Sequence, residues 1–322
     1  MPTLRQLEYL VAVADTLHFR RAAERVNTTQ PTLSEQLKAL EERLGAQLVE
    51  RNRSRVVLTP VGVEIVSIAR RMLRDATDLR AVAQAYGGTL SGVIRLGASP
   101  TVGAYMLSRM LPTFHQQFPR LRMHVREDVP QRLMRGLDEG TFDLVIAPHP
   151  LRGADFEVET VFREAILVAV ASDHPLAGKA VWHRDDLAGA EVLTLGPGYH
   201  LHDMTVQLSR DVGARLRHEY EGTSLDTLRE MVATGLGITF LPELYVRTVV
   251  ARDPLIKTAA VQGLNAHRTI AMAWRKTTAR QQIFRRIAEL ARAAVGGDTH
   301  TEPSGSEKAN AKMHGRDLHN GS

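Results

Sequence analysis

The stretch LGPGYHLHDMTVQLS, residues 195–209, places Tyr199, His200, His202 and Asp203 within five residues, just past a Gly-Pro-Gly turn. Two imidazoles and a carboxylate could form a metal site, a catalytic cluster or a ligand pocket, or could be ordinary surface residues. The spacing argues against a metal. His200 and His202 stand two apart, whereas ligands sharing a helix face stand three or four apart, so a loop would have to fold both rings inward. The simpler reading is that Asp203 caps a following helix while the histidines stay partly exposed. A hydrolase triad has no G-x-S-x-G elbow to support it. Ten methionines could in principle sense oxidants, but none is placed to suggest it. No enzymatic activity, metal or cofactor is expected.

The elements that must position this stretch begin near residue 91. From there strand-like runs alternate with helical segments: VIRLGA (93–98), LRMHVRE (121–127), FDLVIA (142–147), AILVAV (165–170), EVLTL (191–195), GITFLP (237–242) and TIAMAW (269–274). That alternation predicts an α/β domain with a mostly parallel sheet. Residues 296–322 have few apolar anchors, which predicts a disordered tail. The chain has 322 residues, 43% hydrophobic and 24% charged, enough for two domains. No window reaches the ~18 apolar residues of a membrane span, and the N-terminus carries no signal-peptide pattern, so a cytoplasmic protein without membrane contact is expected. There is no cysteine, which excludes disulfides and thiol chemistry. The net charge of +5 suits a nucleic-acid partner, although arginine is abundant throughout and the position of the charge matters more.

That position is the N-terminus. In HFRRAAERVNTTQPTLSEQLKALEERLG a first helix, about Phe19–Val26, carries Ala22 and Ala23, small enough to let a second helix approach. Thr29 can cap that second helix, with Pro31 in a first turn that needs no amide donor. Leu33, Leu37, Leu40 and Leu44 form an apolar stripe. Thr29, Gln30, Pro31, Thr32, Ser34, Glu35 and Lys38 are left as candidates for DNA contact, the arrangement of a helix-turn-helix whose second helix enters the major groove. Arg51, Arg53 and Arg55 lie on a wing-like hairpin suited to phosphates or the minor groove. A plain helical hairpin with a solvated face would lack this combination. Glu35 has two readings, an acceptor for cytosine N4 or a surface pair with Lys38.

After the wing, Val61, Ile65, Ile68, Met72, Ala76, Leu79 and Val82 approximate a heptad stripe. A second copy is its expected partner, with Val61, Ile65, Ile68, Met72 and Leu79 at the contact. A two-fold dimer predicts a dyad-symmetric site in double-stranded DNA. The zones are then 1–58 for DNA binding and 59–88 for the linker helix.

In this order of parts the chain resembles the LysR-type transcriptional regulators over residues 4 to about 295. The most specific stretches are LEYLVAVADTLHFRRAAERVNTTQPTLSEQLKALEERLGAQLVER and LTPVG. Within that family it looks most like the OxyR-type peroxide sensors, through ASPTVGAYMLSRMLPTFHQQFPRL, TSLDTLREMVATGLGITFLPEL and HRTIAMAWR. The resemblance implies a winged helix-turn-helix and a two-lobed, periplasmic-binding-protein-like (Rossmann-like) effector domain. Lobe I would be 91–165 with 267–295, and lobe II 166–266. It also implies a homotetramer built as a dimer of dimers. RNA polymerase is a further expected partner.

In such a fold ligands collect beyond the carboxyl ends of strands, at helix N-termini. Ser99 and Thr101 follow one strand, and Thr223 and Ser224 follow another; either pair could bind a small anionic or hydroxylated effector or simply cap a helix. By the resemblance, His200 stands where the subgroup has its peroxidatic cysteine and Ser209 where it has the resolving one. Tyr199 takes the place of a histidine, and Pro130 that of a threonine that helps hold peroxide. Thr101 matches the other peroxide-binding threonine, and Arg268 a basic residue near the pocket. Imidazole forms neither sulfenate nor disulfide, so the thiol switch cannot operate. Tyr199, His200 and His202 are therefore expected to line or gate a pocket for another effector, with pH sensitivity at His200. Two alternatives stand beside this reading: peroxide sensing through the retained pocket, and a stand-alone solute-binding or catalytic α/β protein.

Overall fold

Thr3 opens the first helix: its hydroxyl accepts from the Gln6 amide while the Gln6 side chain accepts from the Thr3 amide, a reciprocal cap. That helix, α1 (Leu4–Thr16), precedes α2 (Phe19–Arg25) and α3 (Gln30–Leu44). The computed structural model describes residues 1–52, 55–86 and 92–296. Thr29 caps α3 through the Thr32 amide, Pro31 sits in its first turn, and Gly45 ends it. Leu33, Leu37 and Leu40 are fully buried against Leu10, Val13 and Ala22. Leu44, expected in the same stripe, is 36% exposed, because it is the last helical residue and the chain reverses there.

The wing is an antiparallel pair, β1 (Val49–Asn52) and β2 (Arg55–Leu58). Next comes α4 (Pro60–Tyr86), 27 residues and roughly 40 Å long. A Cβ on Gly62 would coincide with the Leu48 carbonyl oxygen, so only glycine lets α4 start this close to the wing. The expectation that a second copy covers the whole stripe, Ile65 included, is corrected. α1 packs along it, burying Val66 and Ala69, and Ile65 leans on the same core. Val61, Ile68, Met72 and Leu79 remain exposed on α4. Arg53, the side chains of Arg51, Arg55 and Val82, the glycines at 87–88 and the tail from 297 lie outside the described residues.

The rest is α/β. Lobe I begins with β3 (Gly92–Ala98), α5 (Gly103–Gln117), β4 (Leu121–Glu127), α6 (Pro130–Glu139) and β5 (Leu144–Pro148). The long strand β6 (Phe156–Ala171) leads to lobe II: β7 (Trp182–His183), β8 (Glu191–Leu195), α7 (His200–Asp211), β9 (Arg215–Gly222), α8 (Leu225–Ala233), β10 (Thr239–Pro242), α9 (Glu243–Thr248), β11 (Ile256–Ala259) and β12 (Val261–Gln262). β13 (His267–Arg275) returns to lobe I, and α10 (Gln281–Gly296) follows.

One seven-stranded sheet, ordered β10-β6-β13-β5-β3-β4 with β11 also on β6, runs through both lobes. Only β3–β4 and β3–β5 pair in parallel within it; β13–β5, β13–β6, β10–β6 and β11–β6 are antiparallel. The expected mostly parallel sheet is thus corrected, because two neighbouring strands carry the chain in opposite directions between the lobes. β6 pairs with β13 up to Ala165 and with β10 and β11 from Ile166, whose amide donates to the Ala266 carbonyl at 2.9 Å. Lobe I packs Phe114, Trp274 and Phe284 on one side of the sheet and Leu133, Leu137 and Phe142 on the other. Lobe II has its own core around Leu193, Leu228 and Phe240. No helix among the described residues is long and apolar enough to cross a membrane.

Candidate functional site

On α3, Gln30, Pro31, Thr32, Glu35 and Lys38 are exposed and Ser34 is half-buried. Thr29 and Thr32 hold each other through their hydroxyls, 2.8 Å apart, so this pair shapes the helix start. Lys38 meets Glu42 at 3.8 Å, one turn on, rather than Glu35. The surface-pair reading of Glu35 is therefore corrected: it has no ion-pair partner among the described residues and stands free on the outer face. Glu35→Ala is expected to relax preference at one base pair by about 1–3 kcal/mol, measured by titrating single-base variants of the preferred site. Uniform tightening on all sequences would show that Glu35 only repels phosphate.

The second site lies between the lobes, at the carboxyl ends of the parallel strands β3, β4 and β5. Ser99 and Thr101 are buried there, their hydroxyls 3.3 Å apart. Neither caps α5, which starts at Gly103 after Val102 without a side-chain cap. α6 begins at Pro130 and α7 at His200, again without side-chain caps. The Gly198 turn of lobe II reaches Val129 of lobe I, a Cβ on the glycine falling 3.9 Å from the valine methyl. Pro130, Tyr199 and His200 are thereby brought to the cleft, where His200 feels the charges of Arg268, Asp203 and His149.

Arg268 stands behind this wall and is completely buried. Its Nε donates to Glu164 Oε1 at 2.8 Å, Nη1 to the Thr101 hydroxyl at 2.9 Å and Nη2 to the Thr101 carbonyl at 2.8 Å. Glu164 also accepts from the Leu244 amide at 2.7 Å. Arg268 is thus a clamp joining the α5 entry to β6 and α9, rather than a free cation. Glu164 stands beside Arg163 just before the apolar run of β6, among other charged residues of that strand, so nothing in the sequence singles out the pairing.

Other expected residues turn elsewhere. His202 Nδ1 lies 2.7 Å from the Leu195 carbonyl oxygen, inside lobe II. Asp203 sits in the first turn of α7, where it suits the helix dipole, and does not precede the helix as a cap. Ser224 is the cap of α8, accepting from the Thr227 amide at 3.1 Å. Thr223 is exposed, and its carbonyl accepts from the Tyr199 hydroxyl at 3.3 Å. Ser209 is buried on α7, nine residues from His200 on one continuous helix, about 13 Å along its axis.

Sequence reading missed a bridge across the lobes. Tyr245 and Tyr105 both donate to Asp226, at 2.9 and 3.4 Å, and their rings meet edge-on at 4.8 Å. Burial, and then Asp226, push both phenols well above their ordinary range, so they stay protonated donors. These residues come from three helices distant in sequence, which no local pattern reveals.

His200 Nδ1 is buried without a hydrogen-bond partner among the described residues. Burial, and then the charges of Arg268 and His149, hold its pKa below the ordinary value, with Asp203 opposing. The folded chain therefore binds this proton less tightly than the unfolded chain. The penalty is absent above about pH 6.5 and grows as pH falls toward the depressed value. Between pH 7 and 5, the melting temperature of the wild type is expected to fall more than that of His200→Gln. His267, also depressed by burial, is common to both proteins. Equal pH dependence would remove this role for His200.

A winged helix-turn-helix, a long helix with an apolar exposed side and a two-lobed α/β domain enclosing a cleft together define a ligand-responsive transcriptional regulator. The chain belongs to the LysR family: residues 4–63 match the family model "Bacterial regulatory helix-turn-helix protein, lysR family", and residues 87–296 match "LysR substrate binding domain". It is 38% identical to the DNA-binding transcriptional dual regulator OxyR of Escherichia coli (strain K12), over 91% of this chain and 96% of that one. It is 34% identical to the HTH-type transcriptional regulator EstR of Acinetobacter baylyi, over 90% and 96%. Among solved structures, a full-length OxyR variant from Pseudomonas aeruginosa superposes with a TM-score of 0.76 at 33% identity, covering 94% of this chain and 99% of that one. A hydrogen-peroxide-bound OxyR variant from Corynebacterium glutamicum gives 0.63 at 30% identity, over 92% and 94%. The effector domain is OxyR-like but has no cysteine with which to perform thiol chemistry.

Proposed function

We propose that this regulator binds a dyad-symmetric site in double-stranded DNA as a homodimer and assembles into a homotetramer whose geometry a small anionic or hydroxylated effector alters. It works in the cytoplasm without catalysing a reaction and communicates with RNA polymerase. Residues 1–58 form the DNA-binding unit and 59–88 the dimerising helix. Residues 91–165 with 267–295 form lobe I, and 166–266 form lobe II. Gln30, Pro31, Thr32, Ser34 and Glu35 read bases or position α3, while Lys38, Arg51, Arg53 and Arg55 meet phosphates.

The observation that carries the effector reading is the start of α7, without a side-chain cap, beside the unpartnered His200 Nδ1; Glu127 and Asp128 already lie against the starts of α5 and α6. Unpaired amides and the positive ends of helix dipoles favour an anion or a hydroxyl oxygen. Ser99, Pro130, Tyr199 and His200 form its surroundings, Thr223 stands at the rim, and Thr101 and Arg268 hold the wall in shape.

Selection of duplexes from a random DNA pool by the full chain, then melting-temperature screening with small carboxylates and polyols, tests both halves. The expected outcome is enrichment of an inverted repeat and a ligand whose stabilisation is lost in Ser99→Ala. Failure to enrich any sequence would overturn the regulator reading. Stabilisation by hydrogen peroxide alone, lost in Thr101→Val, would replace the proposed effector with peroxide.

A further inference from the structure

A second cavity, of about 300 Å³, lies at the opposite end of β5 from the cleft, where α1, α2 and α4 meet lobe I. Its cationic lining is Arg25, Arg70, Arg74, Arg95 and Arg126, with His124 beside them. Two carboxylates, Glu8 and Asp15, share it. Both are already paired. Asp15 is held by Arg25 at 2.9 Å and Arg70 at 2.5 Å, and Glu8 by Arg5 at 2.7 Å. Arg70 also crosses to lobe I, reaching the Thr141 hydroxyl at 2.7 Å and the Glu139 carboxylate at 3.5 Å. Arg74 crosses beside it and donates to the Glu139 carbonyl at 2.7 Å.

The guanidiniums of Arg74, Arg95 and Arg126 have no carboxylate partner among the described side chains. Arg74 rests directly on Gly140, whose φ is +78° and where a Cβ would overlap the guanidinium. Burial, and then the nearby Arg275, push the Arg74 pKa down to about 10. Guanidiniums presented from different elements around one cavity suit a ligand with several charged oxygens, because each planar fork can bind two of them.

We propose that this junction is a second small-molecule site, selective for a phosphorylated anion of the diphosphate or nucleotide class, whose occupancy fixes the DNA-binding unit against lobe I. The ligand bridges α4 and the β3–β4 edge, so it acts on the joint through which the cleft must signal. It is a separate site from the effector cleft and does not depend on the cleft being occupied.

Calorimetric titration of the DNA-free full chain with inorganic pyrophosphate, at fixed ionic strength and with sulfate as control, tests the site. Saturable binding of one pyrophosphate per chain is expected, at least tenfold weaker in Arg95→Gln/Arg126→Gln, while the melting temperature and specific DNA binding of that variant stay unchanged. Hydrogen exchange should slow at residues 70–74 and 139–142. No saturable binding, or equal affinity in the variant, would overturn the proposal. Protection confined to residues 99–103 and 198–202 would overturn it too, by assigning the anion to the cleft. Repeating the titration on the DNA-bound chain separates the sources: undiminished binding supports a free anion, and abolition by DNA shows that backbone phosphates fill the site instead, overturning the small-molecule assignment.

Discussion

Arg268→Ala is expected to destabilise the full chain by about 3–5 kcal/mol, the cost of removing one partner of a buried ion pair. Arg268 and Glu164 have side chains 0% and 2% exposed, so no solvent takes over when the guanidinium leaves. Among the described residues Glu164 would keep the Leu244 amide alone, and Thr101 would lose donors to its hydroxyl and its carbonyl together. The midpoint of urea unfolding measures the loss. Arg268→Met combined with Glu164→Leu should recover the part of the loss that comes from the stranded charge, while the Thr101 carbonyl and the Leu244 amide stay without partners. A loss below about 1 kcal/mol in Arg268→Ala would mean that the pair is effectively solvated, and the clamp reading would fall.

The second large effect concerns α4. Ile68 and Met72 are 42% and 46% exposed, a poor arrangement for a lone helix and a good one for a paired helix. Ile68→Glu with Met72→Glu should convert a dimer to monomers in sedimentation. Affinity for a two-half-site duplex should drop on the order of 10²-fold or more as the second contact ceases to be intramolecular. The melting temperature of the monomer should change little, since Val66 and Ala69, not these residues, pack on α1. A variant that stayed dimeric with unchanged affinity would move the dimer contact elsewhere.

Features written in neighbouring residues were legible from sequence. Thr29, Pro31 and the first three leucines of α3 define a helix whose start, buried face and outer face follow from spacing alone. The two-lobed plan and the cleft around residues 99–101 and 198–200 came through the family resemblance rather than through periodicity. What stayed hidden depends on distant partners. Glu164 and Arg268 are 104 residues apart, and Tyr105 and Asp226 are 121 apart. α1 covers α4 across an intervening helix-turn-helix, so reading α4 by itself left a face unexplained. Local reading also failed in the stretch containing His202 and Asp203: α7 starts at His200, three residues before Asp203, which changes both side chains' tasks.

β6 runs as one strand for 16 residues, roughly 53 Å, with a bulge at Val161, and exchanges partners midway, beside the point where the returning chain is bonded to it. Two domains on slack linkers can open like a clamshell, but a shared pleated ribbon resists bending in its own plane and yields more readily to twist. Ligand entering such a cleft would wind or unwind the ribbon by a few degrees, and the lobes would counter-rotate instead of parting. Over the length of a lobe a small winding becomes a lateral displacement of about an ångström or two. A change at His200 would then emerge as a turn of one lobe against the other, in the manner of a torsion bar.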